Sequence, residues 1–326
     1  MLIDNHGRPV NYLRLAVTDK CNLRCSYCMP FEGIQFLPKK QLLSYEEIIR
    51  MIRLMAEMGI SKVRITGGEP FVRRDIMQLL EKIVQLPGIE QVHLTTNGTR
   101  TAEHIPRLKE LGIKSVNLSI DSLDRNRFFE MTRRDELPQV LETLHALIAH
   151  GIPTKINSVV MSQKNKEDIH LLTALTKDLP VSVRFIEEMP FNGSGSEQIE
   201  FLSYQRIIEQ IQGDYPNLEK INDDAFSTSY NYKIPGHAGT VGVIAAFSRT
   251  FCGTCNRLRV TPTGDVKTCL YDEGVFSIRD LLRSTDDNQV VQTKLREVIG
   301  QRAKDGFEAE KNRSTHINES MTTIGG

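Results

Sequence analysis

Along the first half of this chain the apolar residues switch repeatedly between two spacings. Ser44-Tyr45-Glu46-Glu47 reads as a capping box opening a helix, and Ile48, Ile52 and Met55 follow at helical spacing, which predicts one buried face. Gly59 supplies the left-handed stop at which such helices commonly end. The unit then recurs: Gly59-Ile60, Gly88-Ile89, Gly112-Ile113 and Gly151-Ile152 each precede a short strand-like run, at 62–66, 91–95, 115–119 and 154–160. Leu13 to Val17 at the front and Val181 to Ile186 after Pro180 complete six predicted strands with helical stretches between them.

Strands alternating with helices imply parallel strands joined by right-handed crossovers. The expected fold is α/β, an incomplete (β/α)6 barrel of the triose-isomerase type. Chemistry in such barrels sits at the carboxyl ends of the strands. After the successive strands come the loop Cys21 to Cys28, Gly67-Gly68-Glu69-Pro70, Thr96-Asn97-Gly98, Asp121-Ser122, Ser158 and Glu187-Glu188-Met189-Pro190. The pattern loosens around Asn192-Gly193-Ser194-Gly195-Ser196, and a polar stretch spans 222–231. Two domains are expected, a barrel over 1–235 and a C-terminal extension over 236–326. In the second, 242–247, 257–261 and 266–270 read as strands, the last two joined by Thr263-Gly264-Asp265, and a helix-rich segment follows from Ser277 to Lys304.

With 326 residues, 40% of them hydrophobic, the chain can bury a sizeable core. Lys plus Arg equals Asp plus Glu, 41 each, so an anionic ligand must be met by locally placed arginines rather than by a basic field. Bulk charge favours neither nucleic acid nor membrane. The N-terminal residues lack a signal-like apolar core, and runs such as Val243 to Phe247 are too short to span a bilayer, so a cytosolic protein is expected. Six cysteines in two groups of three suit a compartment that keeps thiols reduced.

The first group, Cys21, Cys25 and Cys28, follows the first strand directly. Three thiolates converging from a short loop can hold a 4Fe-4S cluster and leave one iron open, whereas structural zinc usually takes four protein ligands. The second group, Cys252, Cys255 and Cys269, reads alone as zinc about as readily as iron-sulfur. That all six cysteines divide three and three favours a second cluster with an unligated iron. Between these cysteines Arg257 and Arg259 share one side of a strand, a fork suited to phosphate oxygens, with a solvated strand face as the alternative. The closing Gly325-Gly326 has little bulk and can thread into a narrow site; a frayed tail or a sulfur-carrier terminus are the other readings.

The spacing CxxxCxxC with Tyr27 before its last cysteine resembles the signature of the radical S-adenosylmethionine superfamily, and Gly67-Gly68-Glu69-Pro70 resembles its second motif. Such a resemblance implies that S-adenosylmethionine chelates the open iron and is cleaved to methionine and a 5′-deoxyadenosyl radical that abstracts hydrogen from a substrate. By the same match Tyr27, Gly68, Ser119 and Met189 would line the S-adenosylmethionine pocket. Adding Cys252-Gly253-Thr254-Cys255-Asn256-Arg257-Leu258-Arg259, Cys269 and the Gly-Gly end, nearly the whole chain resembles the superfamily's cyclases of molybdenum cofactor biosynthesis. That family implies two 4Fe-4S clusters, an external electron donor, and GTP as the substrate. The product would be 3′,8-cyclo-7,8-dihydro-GTP, which a partner synthase converts to cyclic pyranopterin monophosphate. GTP contacts carried over by position are Arg14, Arg64, Thr95, Lys155, Arg257, Leu258 and Arg259, with Arg14, Gly325 and Gly326 in the catalytic role. There is no GxxxxGK[ST] loop, so the substrate's identity rests on the resemblance. A peptide-modifying maturase of the same superfamily, a non-catalytic iron-sulfur scaffold and a zinc-structured binding protein remain as rivals. The oligomeric state, a homodimer included, is not legible.

Overall fold

Among the described residues eight strands run parallel in one curved sheet, two more than the pattern of the sequence predicts. They are β1 (Tyr12–Ala16), β2 (Lys62–Thr66), β3 (Gln91–Thr96), β4 (Ser115–Ser119), β5 (Thr154–Val160), β6 (Ser182–Glu187), β7 (Thr240–Ile244) and β8 (Arg257–Val260). The order across the sheet is β8-β1-β2-β3-β4-β5-β6-β7. This computed structural model describes residues 1–31, 33–191, 201–317 and 319–325; Asn192 to Ser196 and Gly326 lie outside them.

The two additional strands flank the six expected ones. β8 pairs in parallel with β1, Arg259 opposite Arg14, and β7 pairs in parallel with β6, Gly242 opposite Arg184. Neither follows a helix-glycine unit. Each instead has an antiparallel partner on its other side, Asp265–Lys267 for β8 and Tyr230–Lys233 for β7, so the repeat that announces β2 to β5 is missing from the sequence here. The six expected strands are therefore all present as an incomplete barrel, and β7 and β8 extend their sheet from the C-terminal part of the chain, with residue 235 in the turn between Tyr230–Lys233 and β7. The strand expected over 266–270 stops at Lys267, because Thr268 and Cys269 turn their amides onto the Asp272 carboxylate, at 2.7 and 2.8 Å.

The helices cover the outer face for the reason the spacing predicts. In Tyr45–Glu57 the capping box is formed: Glu47 N donates to Ser44 Oγ at 3.2 Å and Ser44 N donates to Glu47 Oε2 at 2.7 Å. Ile48, Met51, Ile52, Leu54 and Met55 are buried against the sheet. Gly59 has φ +109°, and a Cβ there would lie 2.9 Å from Met1 Cα.

Alternation along each strand sorts the two faces. Leu13, Leu15, Val63, Ile65, Val92, Leu94, Val116 and Leu118 enter the core beneath the helices. Tyr12, Arg14, Lys62, Arg64, Thr95, Asn117, Lys155 and Arg184 turn the other way, into the lumen. An ordinary eight-fold barrel fills that lumen with branched apolar side chains. Here it is polar and open, a cavity of about 650 Å³ that falls in the range of small-molecule sites.

Candidate active site

Both cysteine triplets line this one cavity, although 224 or more residues separate them in sequence (Cys28 to Cys252). None of the six is disulfide-bonded. The first three leave β1 on a loop whose turn is closed by Cys28 N donating to Cys25 O at 3.0 Å. Around them stand groups from the next loops: Asn97 Nδ2 reaches Cys21 Sγ at 3.6 Å, and Tyr27 Oη donates to Asp121 Oδ2 at 2.8 Å. Asp121 is fixed in turn by the Val159 amide at 2.9 Å.

The paired glycines are required by contact rather than by turn geometry alone. A Cβ on Gly67 would lie 2.5 Å from Thr18 O, and one on Gly68 would lie 2.3 Å from Lys20 O, so any side chain there collides with the backbone of the cysteine loop. Glu69 then ties this loop to the next. Its buried carboxylate accepts from Asn97 N at 2.6 Å, Thr96 Oγ1 at 2.9 Å and Phe71 N at 3.1 Å. Burial pushes its pKa up to about 7 against those hydrogen bonds. Gly68, Tyr27, Ser119 and Met189 all line the cavity.

Below this loop the lumen is basic. Arg259, Arg14 and Arg64 sit directly opposite one another on β8, β1 and β2, an arrangement of like charges that costs stability in a sheet unless something neutralises it. Burial lowers the Arg14 and Arg184 pKa values to about 10, each further opposed by Arg64, and brings Lys155 to about 8 with Arg184 and Arg64 contributing. Arg259 is held well below its usual range by burial and by Arg14 and Arg257. Tyr12 stands among these groups, its oxygen accepting from Arg64 Nε at 2.6 Å. A polyanion with several oxygens is the ligand that relieves such a site.

The C-terminal segment enters the same lumen. Ser320 Oγ donates to the Cys28 carbonyl at 2.5 Å, Met321 N donates to Phe191 O at 3.0 Å, and a short helix (Met321–Ile324) ends at Gly325 with φ +77°. The Gly325 carbonyl accepts from Arg259 Nη1 at 2.8 Å. A Cβ at Gly325 would be 2.8 Å from Ala16 Cβ and 3.2 Å from Thr66 Cγ2, so the tail fits as glycine.

The structure therefore gathers Arg14, Arg64, Thr95, Lys155, Arg257 and Arg259 around one cavity. Strand alternation sends the Leu258 side chain into the core, fully buried, so only its backbone can face a ligand. Arg257 lies beside Cys255 as much as beside the lumen; burial works against its charge, but Cys255 outweighs this and holds its pKa above the usual value. Sequence reasoning missed Lys62, Arg184, Asn117, Asn157 and Tyr12, all on lumen-facing positions. The alternation applied to Arg257 and Arg259 would have found them.

Three thiols from one short loop form a donor set suited to an iron-sulfur cluster with one iron free. In the first triplet burial raises the Cys21 pKa to about 11 and that of Cys28 to about 12, with Cys21 adding to the latter by repulsion. The positive charge of cluster iron offsets both costs. Among the described residues no three His, Cys, Asp or Glu side chains close around a single ion; the triplets stand open to the cavity.

An open parallel barrel with three cysteines on its first loop and closely packed glycines on its second defines a radical S-adenosylmethionine fold. The profile of the Radical SAM superfamily matches residues 15–175, and that of Molybdenum Cofactor Synthesis C matches 181–307. With the GTP 3′,8-cyclase of Geobacter sulfurreducens the chain shares 43% identity over 328 aligned positions, covering 100% of this chain and 99% of that protein, and it belongs to the GTP 3′,8-cyclase family. Molybdenum cofactor biosynthesis protein 1 of Homo sapiens is 39% identical over 304 residues, 93% of this chain; the chain spans about half of that longer relative, 48%. Among solved structures, SuiB of Streptococcus suis bound to S-adenosylmethionine superposes with a TM-score of 0.60 at 17% identity, over 88% of this chain and 68% of that one, a likeness of fold.

Proposed function

We propose that this protein is a radical S-adenosylmethionine enzyme that converts GTP to 3′,8-cyclo-7,8-dihydro-GTP, the first step of molybdenum cofactor formation. The observation that carries the reading is the in-register trio Arg259, Arg14 and Arg64 in a lumen shared by both cysteine triplets. A 4Fe-4S cluster on Cys21, Cys25 and Cys28 supplies, when bound, an electron and an open iron for S-adenosylmethionine. Cys252, Cys255 and Cys269 would hold a second cluster in the C-terminal part of the chain. Gly67 and Gly68 keep the backbone of two loops in contact, which leaves room beside the first triplet, while Tyr27, Ser119 and Met189 bound that space.

The remaining residues bind and orient the nucleotide. Arg14, Arg64, Lys155 and Arg184, with Lys62, converge on the triphosphate; Thr95, Asn117 and Asn157 offer neutral hydrogen bonds beside it. The Gly325 carbonyl, aimed by Arg259, places tail backbone where it can restrict the sugar and exclude water. An external reductant, a downstream synthase, a cytoplasmic setting and self-association into a dimer complete the proposal.

The test is an anaerobic assay of the iron-reconstituted protein with dithionite, S-adenosylmethionine and GTP, ATP or no nucleotide. GTP-dependent 5′-deoxyadenosine with conversion of GTP is the expected result. Deoxyadenosine without nucleotide consumption would assign another substrate, and none from a protein with intact clusters would overturn the enzymatic reading.

A further inference from the structure

The second cysteine site is built partly from the other end of the chain. A short hairpin, Leu2–Ile3 with Pro9–Val10, presents Asp4 and Arg8 to the segment around Arg302. Asp4 Oδ2 accepts from Arg8 Nε at 2.7 Å and from Arg302 Nη1 at 3.1 Å, while its other oxygen accepts the amides of His6 and Arg8, both at 2.9 Å. All three side chains are buried, at 0% exposure for Asp4, 8% for Arg8 and 3% for Arg302.

One carboxylate between two guanidiniums leaves a surplus positive charge in a dry place, which is costly unless an anion meets it. The donors show where that anion belongs. Arg8 spends its amino groups on the carbonyls of Cys252 at 3.0 Å, Lys304 at 2.6 Å and Ala303 at 2.9 Å. Arg302 turns to the cysteines: Nη1 donates to Cys255 O at 3.2 Å, and Nη2 to Cys255 Sγ at 3.6 Å and Arg257 O at 3.2 Å. Its Nε, buried beside the cavity, has no partner among the described residues.

We propose that Arg302, clamped by Asp4, is a positioning residue of the second cysteine site: it fixes the Cys255 sulfur by hydrogen bond and charge, and Arg8 fixes the Cys252 backbone, so that the triplet is set for an iron-sulfur cluster. The inference rests on the reading that Cys252, Cys255 and Cys269 hold such a cluster. Hydrogen bonds and charge at ligand sulfur set both affinity and potential. Removing the guanidinium therefore makes the bound cluster easier to strip and harder to reduce.

The experiment uses the full chain with Cys21, Cys25 and Cys28 changed to Ala, so that iron reports the second site alone. Arg302→Met, Arg302→Lys and Asp4→Asn are compared with this parent for iron per chain, resistance to a chelator, the electron paramagnetic resonance of the reduced cluster and its midpoint potential, with melting curves to identify folded protein. Expected is a loss of iron retention of about ten- to hundredfold in Arg302→Met, a more negative potential, partial rescue by Arg302→Lys, and an intermediate effect in Asp4→Asn. A folded Arg302→Met, or a folded Asp4→Asn should the first not fold, with unchanged signal, retention and potential would overturn the assignment. A parent that takes up no iron would overturn the second cluster itself, and the inference with it.

Discussion

Arg259 Nη1 donates to the carbonyl of Gly325 at 2.8 Å, which joins a barrel strand to the chain's last described residue. The same arginine faces Arg14 across the sheet. On the proposed function, one guanidinium therefore meets both the tail and the charge of the substrate.

Gly325→Ala tests that link. Its Cβ would press on Ala16 Cβ at 2.8 Å and must adopt a φ of +77°, so the tail backs out of the lumen. Product formation is expected to fall about hundredfold, with visible absorption and iron content unchanged. Wild-type turnover by the Ala variant would show that the tail's seat is irrelevant to catalysis.

Nucleotide affinity should fall as pH rises above neutrality. Burial alone would raise the Tyr12 pKa, but Arg64 and Arg14, with Lys62, outweigh it and bring the phenol from 10 to about 7. These groups lie on β1 and β2, and Arg257 faces Tyr12 from β8. A bound polyanion opposes the phenolate, so binding takes up a proton. Affinity then weakens by up to about tenfold per pH unit above 7, and loss of the Lys155 charge near its pKa of about 8 acts in the same direction. Anaerobic calorimetry of GTP binding from pH 6 to 9 should show that Tyr12→Phe removes the break near 7 and keeps the one near 8. Identical profiles would rule out Tyr12.

Arg184→Met should raise the KM for GTP about ten- to hundredfold, the worth of a charge-assisted contact, with little change in deoxyadenosine formed at saturating nucleotide. Half-buried, Arg184 lines the lumen and not the outer face. A KM within error of wild type would remove it from the triphosphate site.

Glu69→Ala leaves the Asn97 and Phe71 amides and the Thr96 hydroxyl without their shared acceptor. The loss of stability should be on the order of 3 kcal/mol, read from denaturant unfolding of the iron-free chain. Glu69→Gln should cost less, since one amide oxygen still accepts. Equal stability of Glu69→Ala and wild type would mean that the two loops hold without this bridge.

The helix-glycine-strand punctuation made β2 to β5 legible, because each glycine ends a helix whose buried face is written in the sequence, while β1 and β6 showed only as apolar runs. β7 and β8 were legible as strands but not as barrel members, since parallel pairing with β6 and β1 depends on contacts across most of the chain. Arg184 was hidden by being read as part of a strand without asking which face it takes. Leu258, between Arg257 and Arg259, must turn its side chain away from both, so what it can offer a ligand is backbone. Asp4 and Arg302 meet from opposite ends of the chain, 298 residues apart, and no local pattern announces such a meeting.

β1 is bordered by β2 on one side and, on the other, by β8, where Asn256 Nδ2 reaches Asn11 Oδ1 at 2.7 Å across 245 residues of sequence. Pairings of that span form late, because the closure entropy of the whole intervening chain precedes any gain. The loop bearing Cys21, Cys25 and Cys28 thus emerges early on an uncovered edge, and the contact of Ser320 with Cys28 is among the last that can be made. The order in which contacts can close thus leaves the seating of the tail beside the first triplet to the end of folding.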